Sequence, residues 1–131
     1  MRTTHTLPDG WYIDYQPSAT SSNDLALAAL RQSAGKAEGK CFQVGEQTKG
    51  RGRRGKQWVS KSGDGLYLSI ILCPETARDT WSGLSFMASL AVYKALLGFI
   101  EDSHILRCSL KWPNDILYDN RKLAGILLEA S

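Results

Sequence analysis

The residues best equipped for chemistry lie between positions 47 and 61. Gly50-Arg51-Gly52-Arg53-Arg54-Gly55 sets three glycines among three arginines, and Lys49, Lys56 and Lys61 extend the positive charge with no acidic residue among them. Glycine lets backbone N–H groups approach an anion closely, while guanidinium groups surround it with directed donors. Trp58 follows, and an indole beside bound phosphates is placed to stack on a nucleobase. Phosphate and base together point to a nucleotide. The run has neither the Lys-Ser/Thr ending of a Walker A loop nor the strand-before, helix-after frame of a dinucleotide fingerprint. Its competing readings are a solvated basic turn and an RGG-like nucleic-acid segment. RGG segments repeat within disordered tracts, whereas this run occurs once, between two apolar strands.

Two further groups carry polar chemistry. Lys111-Trp112-Pro113-Asn114-Asp115 ends a strand, and Lys122 and Gly125 follow at short range. A lysine at a strand end is most often solvated, Asn-Asp after proline is often only a turn, and Lys122 reads equally well as an exposed charge. Ser21-Ser22-Asn23 opens a helix, so capping explains those residues as readily as ligand binding does. Other chemistry lacks parts. His5 and His104 have no second ligand at metal spacing, and no Ser-His arrangement is readable. Cys41, Cys73 and Cys108 are widely separated and odd in number, which fits buried thiols in a reducing compartment rather than a disulfide framework.

The elements that must position these groups follow from hydropathy and turn residues. Residues 11–15 read as a strand. The cap cluster at Thr20-Ser21-Ser22-Asn23 starts a helix over about 23–33, with Gly35 as its stop. Cys41-Phe42-Gln43-Val44 is a short strand. Residues 65–72 form a nearly continuous apolar run, the pattern of a central strand buried on both faces. Residues 81–100 read as a long core helix with Leu84, Met87, Ala88, Ala91, Ala95 and Leu96 on its inner face. A strand over 105–112 comes next, and strands at 116–118 and 123–128 flank Asp119-Asn120-Arg121-Lys122 as a hairpin turn.

Such an order implies an α+β architecture, a sheet covered by helices on one face. A chain of 131 residues, 43% apolar and 22% charged, has the balance of one globular domain or part of one, and its net charge of +3 does not by itself call for nucleic acid or an anionic membrane. Residues 1–10 lack the apolar core of a signal peptide, and no apolar run reaches the ~20 residues of a membrane span, so the expected location is cytoplasmic. The abrupt end after the last apolar strand leaves a larger domain cut at Ser131 as an expectation.

Residues 47–58, Gln-Thr-Lys-Gly-Arg-Gly-Arg-Arg-Gly-Lys-Gln-Trp, resemble the signature loop of biotin protein ligases. Lys111-Trp112-Pro113-Asn114-Asp115-Ile116-Leu117, followed by Lys122-Leu123-Ala124-Gly125-Ile126-Leu127, resembles the next signature of that family in order and distance. Ser21-Ser22-Asn23 is a weaker match to its Ser-Thr-Asn at a helix start. The resemblance implies a class II synthetase-like biotin/lipoate ligase fold with a mixed, mostly antiparallel sheet. It implies that biotin and ATP form biotinyl-5′-adenylate and pyrophosphate, and that biotin then passes to a lysine of a biotin carboxyl carrier domain. It places the urea of biotin on Ser21, Ser22, Asn23 and Gln47. Arg51, Gly52 and Arg53 belong to the loop over biotin and adenylate, and Gly50, Trp58, Lys111, Asn114 and Gly125 to the nucleotide. Arg54 is placed with the nucleotide residues, with solvent as its alternative. Lys122 is aimed at the biotin carboxylate and α-phosphate, with Arg53, Lys122 and Asp115 catalytic and Asp115 also the candidate for Mg2+. The family more often has an acidic residue where Thr20 stands.

Residues 1–131 are then the N-terminal part of a catalytic domain, with no helix-turn-helix ahead and the C-terminal β-barrel absent. A homodimer is compatible with this reading, and no nucleic-acid or membrane partner is expected. The alternatives are a truncated, catalytically impaired fragment that keeps the ligand-holding loops, and a lipoate or octanoyl transferase relative.

Overall fold

A computed structural model describes residues 7–33 and 36–131 of the chain. The expected helix stop at Gly35, His5, and most of the polar opening segment lie outside the described residues. Two compact units form, one running to Pro74 and the other spanning Glu75–Ala130.

The first unit is built from β1 (Tyr12–Ala19), α1 (Ser22–Gln32), β2 (Lys40–Gln47) and β3 (Tyr67–Ile70). Its three-stranded sheet runs β1-β2-β3, with β1 parallel to β2 and β3 antiparallel to it. Parallel neighbours need a crossover, and α1 supplies it. Ser21 starts this helix by accepting the Asp24 N–H on its hydroxyl at 3.0 Å, and the helix begins at Ser22, one residue before the start expected from the cap cluster. The helix packs on β2 and β3, and Ala26, Ala37, Phe42 and Ile71 form the buried core with Leu25, Ala29 and Leu30 against it.

The second unit holds α2 (Leu84–Leu97), preceded by a 3-10 segment Arg78–Gly83, then a second 3-10 segment Asp102–Arg107 and the antiparallel meander β4 (Cys108–Lys111), β5 (Asp115–Tyr118) and β6 (Arg121–Gly125). The β5–β6 connection is a two-residue turn. Asp119 and Asn120 both take positive φ, 49° and 59°, as the tightest hairpin requires of residues matched to strand twist. Taken together, the pairings make an α+β chain with mixed, mostly antiparallel strands, as expected, divided into two small sheets.

Three expectations are corrected. Residues 65–72 do not make a central strand: β3 lies at the side of its sheet, Leu68 and Ile70 are exposed, and β2 is the strand in the middle. An unbroken apolar run carries no alternation to say which face is covered. The helix α2 does not present the expected inner face, since Ser89 is its buried residue while Met87 is 64% exposed and Ala91 and Ala95 are open. It is apolar around most of its circumference, so hydropathy could not choose a side. Lys122 sits within β6 rather than in the turn. Among the described residues no helix is long and apolar enough to cross a membrane.

Candidate functional site

In the first unit the start of α1 and the end of β2 meet through one carboxamide. Gln47, the last residue of β2, accepts the Ser22 N–H on Oε1 at 2.9 Å, and the Ser22 hydroxyl lies 3.2 Å from the same oxygen. Its Nε2 donates to Ser60 Oγ at 3.2 Å. Gln47 therefore joins the helix start to the strand and to the far side of the basic loop. Ser21 and Ser22 are buried, and Ser69 of β3, also buried, bonds both Ser22 and Asn23. Ser21, Ser22, Asn23 and Gln47 are thus brought into one polar cluster around the N-terminal end of α1.

The loop over residues 50–58 closes on itself as a small hairpin. Trp58 N–H donates to Gly50 O at 2.9 Å, Gly52 N–H to Lys56 O at 2.7 Å and Lys56 N–H to Arg53 O at 3.2 Å, with Arg51 and Gln57 bridged between them. Arg54 and Gly55 turn the chain at φ 56° and 73°. Gly50 is required by contact, since a Cβ there would lie 2.5 Å from Trp58 O. The glycines accordingly serve the hairpin, and the Gly52 N–H is committed within it. Arg53 and Arg54 are exposed and Trp58 is half-buried.

Arg51 reaches back to α1, its Nη1 donating to Asp24 Oδ1 at 2.8 Å. A hydrogen bond from the Thr20 side chain and then the Arg51 guanidinium outweigh burial and hold the Asp24 carboxyl below its usual range. Thr20 also accepts Lys49 N–H on its carbonyl at 2.8 Å. Its hydroxyl thus has a defined partner where an acidic residue would have placed a second negative charge beside Asp24.

In the second unit the meander sets Asp115, Lys122 and Gly125 near one another. A bulge in β6 pairs Leu117 with Lys122 and Ile116 with Ala124, which brings Gly125 opposite Asp115. The residue facing the carboxylate therefore has no side chain. Lys122 Nζ lies 2.9 Å from Asp115 Oδ1, an ion pair by distance whose alignment is not that of a hydrogen bond, and this oxygen is buried. Asn114 is fixed twice to Ile126, donating its side-chain amide to Ile126 O at 2.7 Å and accepting Ile126 N–H at 2.9 Å on its own carbonyl. Lys111 pairs with Asp115 across the β4–β5 turn, in which the Trp112–Pro113 peptide is cis, and Lys111 is exposed.

Sequence reasoning missed Ser69, Ser60 and Asp24, because single polar residues in a strand, a loop and a helix carry no spacing signal. It also expected all three thiols to be buried, yet Cys73 is exposed. Burial raises the Cys41 pKa, and partial loss of solvent around the thiol together with the nearby Glu38 raises that of the exposed Cys73, so neither has the character of an activated nucleophile.

Residues 15–131 match the sequence pattern of the biotin/lipoate A/B protein ligase family. The chain belongs to this family. Among curated family members, the bifunctional ligase/repressor BirA of Bacillus spizizenii is 33% identical over 120 residues, covering 92% of this chain and 35% of that protein. The biotin–[acetyl-CoA-carboxylase] ligase of Paracoccus denitrificans is 43% identical over 86 residues, covering 66% of this chain and 35% of its own length. The chain thus spans about a third of the curated ligases it matches. The solved biotin protein ligase of Leishmania major in complex with biotin aligns with a TM-score of 0.76 at 28% identity, over 91% of this chain and 51% of that one. The ligase of Aquifex aeolicus in complex with biotin and ATP gives 0.72 at 31% identity, over 91% and 47%. The biotin/lipoate ligase fold is therefore the fold of this chain.

Proposed function

We propose that this chain is the front part of a biotin protein ligase catalytic domain, working in the cytoplasm, that holds biotin and ATP for formation of biotinyl-5′-adenylate. In the complete reaction biotin then passes to a lysine of a biotin carboxyl carrier domain. The observation that carries the reading is Gln47: one carboxamide ties the Ser22 end of α1 to the loop that bears Arg51 and Arg53. A neutral polar cluster and a cationic hairpin are thereby joined in one unit, as recognition of a urea beside a nucleotide requires.

Adenylation forms a bond between a biotin carboxylate oxygen and the α-phosphorus and breaks the bond from that phosphorus to the bridging oxygen of pyrophosphate. The reactants are both anionic, so the barrier falls where fixed cations offset their repulsion. Arg51, Arg53 and Lys122 are assigned this role. In the second step a lysine amine attacks the acyl carbon, AMP leaves, and the amine proton must be taken up; Asp115 is assigned to orient that amine. Ser21, Ser22, Asn23 and Gln47 are assigned to the urea, and Gly50, Gly52, Arg54, Trp58, Lys111, Asn114 and Gly125 to the loop and nucleotide.

Asp115 is also the candidate for a Mg2+ ion. Its Oδ1 is already paired with the Lys122 ammonium at 2.9 Å, so the ion would use the other carboxylate oxygen or displace that ammonium, and no group of three or more His, Cys, Asp and Glu among the described residues is arranged to hold a metal. One carboxylate oxygen with phosphate and water oxygens is the usual way Mg2+ is held on a nucleotide. Bound there, Mg2+ would offset phosphate charge.

The test is titration of the chain with biotin and with ATP by calorimetry, followed by biotin-dependent pyrophosphate release with and without Mg2+. Binding of both ligands with pyrophosphate release supports the ligase. Binding of both without release reduces the chain to a ligand-holding part. Preferential binding of lipoate or octanoate would replace the reading with that of another family branch.

A further inference from the structure

Asp24 belongs to none of the sequence motifs, yet it is where the basic loop is fastened to α1. Residues 19–24 and 48–51 run beside each other. Thr48 N–H donates to Ala19 O at 2.9 Å, Lys49 N–H to Thr20 O at 2.8 Å, and Arg51 Nη1 to Asp24 Oδ1 at 2.8 Å. The first two links are backbone bonds. The third joins side chains, and it decides where the charge of Arg51 lies.

Each partner is fixed from its own side. Asp24 is in the first turn of α1, its N–H donating to Ser21 Oγ at 3.0 Å and its carboxylate hydrogen-bonded by the Thr20 side chain. The backbone of Arg51 is bridged to Gln57 across the loop. An arginine side chain has many rotamers, and ordering such a chain only when a ligand arrives weakens binding by about two- to tenfold. A partner that orders it beforehand removes that cost. The carboxylate also brings a negative charge near the loop, which repels an anion. That repulsion is reduced here, because the charge stands at the positive end of a helix dipole. Both side chains are also more than a third exposed, so water and salt screen them. Ordering therefore outweighs repulsion.

We infer that Asp24 is a positioning residue that holds the Arg51 guanidinium at the N-terminal end of α1 before an anionic ligand binds. This inference rests on the proposed nucleotide site, in which Arg51 offsets phosphate charge. Its sign is the reverse of simple charge repulsion: removing the negative charge of Asp24 weakens binding of the anion.

The test is calorimetric titration with ATP of the full chain, of Asp24→Asn, of Arg51→Met and of the double variant, each verified as folded from its backbone amide spectrum. Asp24→Asn should bind ATP about three- to tenfold more weakly than the unsubstituted chain. In the Arg51→Met background the same substitution should change ATP affinity by less than about twofold, whereas a purely structural effect would persist there. In the ligand-free chain the Arg51 Nε–H resonance should be slow to exchange with solvent, and in Asp24→Asn it should move to the position of a free arginine. ATP affinity in Asp24→Asn equal to or above that of the unsubstituted chain would overturn the inference. So would an equal loss in both backgrounds, or an Arg51 signal that Asp24→Asn leaves unchanged. If the unsubstituted chain binds no ATP, the proposed function fails, and with it the ligand assigned to Arg51, while the Arg51 signal still decides whether Asp24 orders that side chain.

Discussion

In the proposed reaction Arg51, Arg53 and Lys122 share one role, to offset negative charge, but they begin from different surroundings. Arg51 is engaged by Asp24, Lys122 lies against Asp115, and Arg53 is exposed on the hairpin. Replacing Arg53 by glycine should therefore leave the melting temperature nearly unchanged while adenylate dissociates faster, read by chasing labelled adenylate; unchanged retention would remove Arg53 from the site. Lys122→Ala should be worse in both respects. It uncovers a buried carboxylate oxygen, so stability falls, and pyrophosphate release should slow by about 10²- to 10³-fold, as when a donor to developing charge is removed. The Asp24–Arg51 pair makes a prediction about acid. Asp24 has a folded-state pKa below its ordinary 3.8, so its contribution is present above that value and lost as pH falls through the lower folded-state one. Both side chains are more than a third exposed, which limits the contribution to about 1 kcal/mol or less. Asp24→Asn should lower the melting temperature slightly at pH 7, and the difference should close below about pH 4; a constant gap down to pH 2 would contradict the ion pair.

At the scale of elements, the two that carry most of the proposed site residues are short hairpins, and each is shaped by a residue whose backbone the sequence made only partly legible. Gly50 was visible as a glycine but not as a close approach. Its hydrogen positions lie so near Trp58 O that Gly50→Ala should force the loop apart, at a cost of about 1–3 kcal/mol in thermal unfolding. In the β5–β6 hairpin, Asp-Asn was legible as a turn, but the pair closes it in two residues, so Arg121 and Lys122 pass into β6. Nor did any spacing reveal that Arg107 grips Asp119 through both its Nε and Nη2 and lies over the Tyr118 ring at 4.8 Å. Such contacts depend on which strands are adjacent. The bulge that brings Gly125 opposite Asp115 is hidden for the same reason: hydropathy gives the period of β6 and not its register. Elements with strong local signals fared better, and α1 is the clearest case, since cap residues fix its start whatever it packs against.

For the whole molecule, the fold class and family were legible because two long motifs stand in order on elements of the right kind. What was not legible was how apolar surface is distributed. The run at 65–72 and the helix α2 are apolar on more than one side, and an amphipathic argument has no purchase where there is no alternation. The polar cluster was legible as Ser21, Ser22, Asn23 and Gln47, but its fifth member, Ser69 of β3, was not, because a lone serine in an apolar strand resembles a neutral substitution. The central claim, that the first unit holds biotin through the cluster tied together by Gln47, is tested most directly by calorimetric titration of the chain and of Gln47→Ala with biotin. The account predicts saturable one-to-one binding to the unsubstituted chain and a loss of at least tenfold in Gln47→Ala; equal biotin affinity in the two proteins would contradict it.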